Sequence, residues 1–204
     1  MTAGKQHRSR VRSSSVAFAC PACQTHIGPV ERCPNCHFTG SDTMAMFAGS
    51  PPAVAPVNDL AGLWDEAALK TIAKARKRAS ARFPQFRWSL CSVNLPPETN
   101  LRLYGFWMLN VNPITEDESE NNRLWTVLLL INAATNKAAV IPAYAAEPWL
   151  GSDQWDKLLA GMSPSWKSRD YGRAASGFIH SSAGLLESSW RQAAAIQKTA
   201  RSAS

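Results

Sequence analysis

Between Asn58 and Gln197 the spacing of apolar and polar positions changes several times, and each period predicts an element. In DEAALKTIAKARKRASARF (65–83), Leu69, Ile72, Ala73, Ala79 and Phe83 fall roughly on one face. Lys70, Lys74, Lys77, Arg78 and Arg82 fall on another, which predicts an amphipathic helix. RWSLCSVNL (87–95) alternates and predicts a strand, and LRLYGFWMLNV (101–111) suits a helix. LWTVLLLINA (124–133) is a continuous apolar run, as expected of a strand buried on both faces. A turn over 132–137 returns the chain as KAAVIPAYA (137–145), its partner strand. GSDQWDKLLAGM (151–162) reads as a helix capped by Ser152 or Asp153, and residues 170–197 as a long final helix begun by Asp170. The order α-β-α-β-β-α-α predicts an α/β domain, a sheet covered by helices.

Ahead of this domain the pattern is different. Residues 1–17 are rich in Arg and Ser and are expected to be a disordered basic arm. Residues 18–40 hold four of the five cysteines, and 41–57, with small residues and prolines, read as a linker. The domain then spans 58–197, and 198–204 is expected to fray.

The cysteines form two Cys-Pro-x-Cys pairs, Cys20/Cys23 and Cys33/Cys36. A Cys-x-x-Cys pair aims two thiolates at one point from a tight turn, and the proline helps to shape that turn. Two pairs complete the tetrahedral set that a structural Zn²⁺ requires. The nine residues between them, QTHIGPVER, are expected to form a short hairpin bent at Gly28-Pro29. His26 and His37 are spare neighbours, expected at the surface. A site closed by four cysteines leaves no open coordination position, which argues against zinc catalysis there. The module resembles the short zinc ribbons of bacterial proteins. Cys91, inside the alternating strand, reads as a small buried apolar residue.

Composition adds less. The 204 residues carry a net charge of +7, with pI near 9.4, which permits an acidic partner without requiring one. Eight tryptophans lie between Trp64 and Trp190, most of them expected in the core, with Trp149, Trp155 and Trp166 as candidates for an exposed docking patch. No run approaches the ~20 apolar residues that span a bilayer. The first twenty residues lack the apolar centre of a secretory signal. A cytoplasmic chain without a membrane anchor is expected, where cysteines serve more often as metal ligands than as disulfides.

PVNDLAGLWDEAALKTI (56–72) resembles the opening of TPM-domain proteins, where a Val-x-Asp-x-Ala-Gly-x-Leu phrase enters the first helix. The phrase here is Val57-Asn58-Asp59-Leu60-Ala61-Gly62-Leu63. RWSLCSVNL, YGFWMLN (104–110), the hairpin region 119–153 and SRDYGRAASGFIHSSAGLL then follow in the family's order, so the resemblance covers about 58–190. It implies a compact α/β fold with helices on both faces of a small central sheet, and accessory or repair roles. It also implies, for some members, weak phosphatase activity and Ca²⁺ binding. Many members are exported or membrane-anchored, unlike the expectation here. Carried onto this chain, the family's acidic turn matches Glu120-Asn121-Asn122-Arg123, with Arg in place of Gly. The stretch after the next strand keeps Glu147 without its glycines, and Asp153 matches an acidic position beyond. Glu120, Asn121, Glu147 and Asp153 are therefore the candidate Ca²⁺ or Mg²⁺ ligands; their plainer reading is as solvated carboxylates and helix caps. Asp59 reads more simply as a turn or cap residue.

No Walker loop, Gly-x-Ser-x-Gly, His-Glu-x-x-His or Asp-x-Asp nucleophile pattern is present, and His180 on the final helix reads as a packed or surface residue. The leading expectation is a zinc-ribbon-bearing TPM-like accessory protein that binds an unidentified protein partner. The first alternative is a metal-dependent phosphatase of the TPM type, with Glu147 as its foremost ligand. The second is a nucleic-acid-binding module using the basic arm and the 70–82 stripe, although QTHIGPVER offers no stacking ring.

Overall fold

The computed structural model describes residues 18–28, 30–112 and 123–202. The arm 1–17, Pro29 of the expected bend, and the candidate ligands Glu120 and Asn121 lie outside the described residues.

The sheet follows directly from the two buried runs. Strand β4 (Arg87–Val93) and strand β5 (Thr126–Asn132) pair in parallel, Trp88 opposite Val127 and Cys91 opposite Leu130. β5 turns at Asn136, which takes a positive φ of 53°, and pairs antiparallel with β6 (Lys137–Pro142). A short strand β3 (Val57–Asp59) lies parallel on the other side of β4, giving the order β3-β4-β5-β6. With neighbours on both sides, β4 is buried along nearly its whole length rather than half-exposed as its alternation predicts.

Period-two alternation divides the core into two clusters, one on each face of the sheet. Trp88, Leu90, Val127, Leu129, Ile131 and Val140 face the helices α2 (Glu66–Arg82) and α6 (Tyr171–Ser202). Cys91, Leu128, Leu130, Ala139 and Ile141 face α3 (Leu101–Val111). The expected α/β layering, a small central sheet with helices on both sides, is what the chain forms. A short 3-10 turn (Glu147–Trp149), α4 (Ser152–Gly161) and α5 (Ser163–Lys167) complete the first layer.

Helix α2 and its C-cap bury Ile72, Ala79 and Phe83 of the face its sequence pattern predicts, but that face is rotated away from Leu69 and Ala73. Ile72 and Ala79 are buried with Ala68 and Ala75 packed beside them, whereas Leu69 and Ala73 are exposed. The reason is the neighbour α6, which approaches too closely for larger residues. A Cβ on Gly172 would stand 2.6 Å from the Ala68 Cβ and 2.9 Å from its Cα. Farther along, Arg82 pairs with Glu187. Gly172→Ala is therefore expected to push two helix backbones apart and cost about 1–3 kcal/mol, measured by urea unfolding.

Caps set the helix starts. Asp65 Oδ1 accepts from the Ala68 N–H at 2.7 Å, Asn100 Oδ1 from Arg102 and Leu103, and Asp170 Oδ1 from Arg173. In α4 neither Ser152 nor Asp153 is the cap. Gly151 holds that place, its N–H donating to Gln154 Oε1 at 2.9 Å. Asp59 does close a turn: its carboxylate accepts from Leu63 N (2.8 Å), Trp64 N (2.9 Å) and the Ser92 hydroxyl, while Gly62 supplies a φ of 64°. The Val-x-Asp-x-Ala-Gly phrase thus shapes the exit of β3.

The stretch read as a linker is built onto the domain. Helix α1 (Asp42–Met46) packs on α3, and Phe47 meets Tyr104 and Trp107 at ring distances of 5.2 and 5.3 Å. Its prolines lack N–H groups, but carbonyls here still accept: Pro52 O from Asn112 Nδ2 and Ala55 O from Ser89 Oγ. Helix α6 runs to Ser202, into the stretch expected to fray.

Candidate metal centre and the cleft beneath it

Each Cys-Pro-x-Cys pair folds by the same local rule. Gln24 N donates to Cys20 O at 2.8 Å and Cys20 N to Thr25 O at 3.0 Å. In the second pair His37 N donates to Cys33 O at 2.9 Å and Cys33 N to Phe38 O at 2.9 Å. Gln24 and His37 occupy equivalent left-handed positions, φ 61° and 60°. The pairing strands enclose the knuckles. β1 (Phe18–Ala19) pairs with β2 (His26–Ile27) around the first, and Arg32 bridges Thr39 around the second. Among the described residues, each knuckle is enclosed by its own flanking pair; the expected bend at Gly28-Pro29 falls in part outside them.

The two turns bring the Sγ atoms of Cys20, Cys23, Cys33 and Cys36 within 4.8 Å of one another. Cys20–Cys36 and Cys23–Cys33 are each 3.7 Å apart. A tetrahedron with Zn–S bonds of about 2.3 Å has edges of about 3.8 Å, so the donor set fits such an ion. A disulfide, with sulfurs about 2.05 Å apart, does not fit these separations. Thiols must ionise to ligate. The Thr25 hydroxyl, 3.3 Å from the sulfur, and Asn35 bring the Cys23 thiol down to about 5. Burial pushes Cys20 up, so its thiolate needs a compensating cation. His26 and His37 are both exposed, and the four thiols suffice without them.

The ribbon sits against the domain. Ala19 N, one residue before the first ligand, donates to Glu147 Oε1 at 2.7 Å. Phe38, just after the second knuckle, meets Phe106 edge-on with centroids 6.0 Å apart. Burial raises the Glu147 carboxyl, against the Ala19 hydrogen bond and His26, which lower it. Glu147→Ala is expected to speed exchange of the Ala19 amide about tenfold or more, since a hydrogen bond to a charged group is lost. Glu147→Gln keeps an acceptor without a buried charge and is expected to retain protection. The sign with pH follows from the raised carboxyl: its stabilising contribution is complete below the unfolded pKa and disappears as pH rises through the folded one. The stability of Glu147→Gln relative to the parent chain is therefore expected to increase with pH in paired thermal melts.

Between ribbon and domain lies a cleft of about 630 Å³. Ile27, Val30 and Phe38 line one side; Phe106, Ile141 and Tyr144 line the other, with Asn110, Arg102, Arg123 and Glu147 as polar members. Sequence reasoning singled out Glu147 as an ion ligand; its visible role is to hold the ribbon. Asp153 stands in the first turn of α4, exposed, 3.5 Å from Lys157 Nζ. Among the described residues, the four cysteines are the group of three or more Cys, His, Asp or Glu whose ligand atoms converge. Cys91 is buried, its thiol pushed up to about 12 by burial and by Asp59. His180 is exposed. Of the three candidate docking tryptophans, Trp155 is in the core, and Trp166 is half-buried with its ring 4.9 Å from that of Tyr171. Trp149 is half-buried too, stacked 5.1 Å from the exposed Trp190. No signal in the sequence marked the cleft, because its walls come from segments far apart in the chain.

No protein-family model matches the chain, nor does any curated protein. Among solved structures, the N-terminal domain of a protein from P. gingivalis, determined by solution NMR, is similar with a TM-score of 0.49 and 16% identity. The match covers 67% of this chain and 85% of that one. Among the described residues no helix is long and apolar enough to cross a membrane. The chain is thus an α/β domain carrying a four-cysteine group that could hold a metal ion.

Proposed function

We propose that the protein is an accessory module that works by binding a protein partner: a TPM-like α/β domain bearing a ribbon stapled by one structural Zn²⁺. The observation that carries this reading is the convergence of four thiols in a ribbon seated on the domain through Glu147 and Phe38. Zinc closed by four protein ligands organises backbone and offers no position to a substrate. The seating gives the ribbon a defined surface to present, which an untethered finger would lack.

The phosphatase alternative rests on Glu120, Asn121, Glu147 and Asp153; the first two lie outside the described residues, and the other two here serve a backbone amide and a surface lysine. The test is a Ca²⁺ and Mg²⁺ titration of the zinc-loaded full chain, followed by tryptophan fluorescence and by hydrolysis of para-nitrophenyl phosphate. The proposal expects no saturable ion response and no turnover up to millimolar ion. A saturable response lost in Glu147→Gln, with ion-dependent hydrolysis, would move the function to the enzyme. The basic stripe of α2 is exposed at Lys74, Lys77 and Arg78. The proposal expects no steeply salt-dependent nucleic-acid binding through it.

A further inference from the structure

The cleft beneath the ribbon has the dimensions and chemistry of a small-molecule site. Its volume, about 630 Å³, falls inside the ~300–1,000 Å³ range of ligand pockets, which are mostly apolar with a few placed polar groups. Apolar walls come from both modules, Ile27 and Val30 on the ribbon and Ile141 and Tyr144 on the domain, joined by the Phe38–Phe106 ring contact. Such walls suit a flat apolar body.

The cations in its lining differ in what they already hold. Arg102 Nη2 donates to Asp156 Oδ1 at 3.0 Å. Arg123 gives Nη1 to Asn112 O at 2.6 Å, but its Nη2 is shielded from solvent and has no hydrogen-bond partner among the described residues. A shielded guanidinium N–H without an acceptor is costly, and an anionic oxygen is its natural complement. The lining holds two carboxylates: Glu147 is occupied by Ala19, and Glu31 on the ribbon side is exposed to solvent. Two glycines on the ribbon side, Gly28 and Gly40, widen the space. A Cβ at either would meet no atom within 4 Å, and neither has the positive φ that would demand glycine.

We propose that this cleft binds a small amphipathic anion, a flat apolar body carrying one carboxylate or sulfonate-type group, with Arg123 receiving the charged end. The ribbon then serves as one wall of a ligand site as well as a surface, a role that the partner-binding reading does not contain.

The test uses the zinc-loaded full chain and two fluorescent probes of similar shape. 8-Anilinonaphthalene-1-sulfonate carries the anionic group, and N-phenyl-1-naphthylamine lacks it. The expected result is saturable binding of both, one per chain. Arg123→Gln weakens the sulfonate about tenfold or more and leaves the neutral probe unchanged. Gly28→Phe, which places a ring in the cleft, abolishes both. Zinc content and thermal melts of each variant show that it is folded, and so separate a failure of the cleft from a failure of the metal site. Non-saturable binding, sulfonate binding unchanged in Arg123→Gln, or binding that persists in folded Gly28→Phe would each overturn the proposal.

Discussion

Cys33→Ser is expected to empty the metal centre and unfold the ribbon while the α/β domain stays folded. Cys33 is 2% exposed and its sulfur lies 3.7 Å from that of Cys23, so the lost ligand belongs to the inside of the site. The ribbon has little else to hold it: two strands of two residues, one isolated bridge, and contacts through Glu147 and Phe38. A module this small cannot fold on burial alone. Structural zinc sites supply about 10–16 kcal/mol of apparent binding energy, which in such a module is folding energy. The domain, by contrast, has two core clusters of its own. Hydrogen exchange should show the amides of Gln24 and His37 unprotected and those of β5 still protected. Protection at Gln24 and His37 in a variant that holds no zinc would show that the ribbon folds without its staple.

Trp88→Ala is expected to be the most damaging single change in the domain, at about 3–5 kcal/mol. Trp88 is 1% exposed at the centre of the sheet face that α2 and α6 cover. Its Nε1 donates to the Ser182 hydroxyl at 2.9 Å, joining β4 to α6. Truncation opens a cavity beneath two helices and removes that bond. Trp88→Phe refills most of the volume and is expected to cost less, with about 1 kcal/mol of the loss belonging to the hydrogen bond. Domains of this kind have about 5–15 kcal/mol in total. Trp88→Ala should therefore unfold at much lower urea, with the midpoint of Trp88→Phe between it and the parent chain. Equal midpoints for parent and alanine variant would contradict the packing described.

Where an element's signal is local, the chain states it plainly. The run at 124–133 became β5, 137–145 contained β6, and 101–111 is α3 to the residue. The four metal-centre cysteines were legible because ligand spacing is a local property. What was not legible depends on partners far away in sequence. A three-residue strand such as Val57–Asp59 has no period to read and exists because β4 pairs with it. The buried face of α2 was displaced from Leu69 and Ala73 because Gly172 allows α6 to come close to Ala68. Residues 41–57 have a linker's composition, yet Phe47 and the carbonyls of Pro52 and Ala55 find partners on α3, at Asn112 and on β4. Glu147 was singled out through the family resemblance as an ion ligand, but its bond to Ala19 spans 128 positions. The cleft that this bond closes could not be foreseen from either side.

The most direct test of the account is zinc-edge X-ray absorption on the purified full chain, with metal content measured on the same sample. The account predicts one zinc per chain surrounded by four sulfurs at about 2.3 Å. A substoichiometric metal, iron in place of zinc, or a first shell containing nitrogen or oxygen would contradict it.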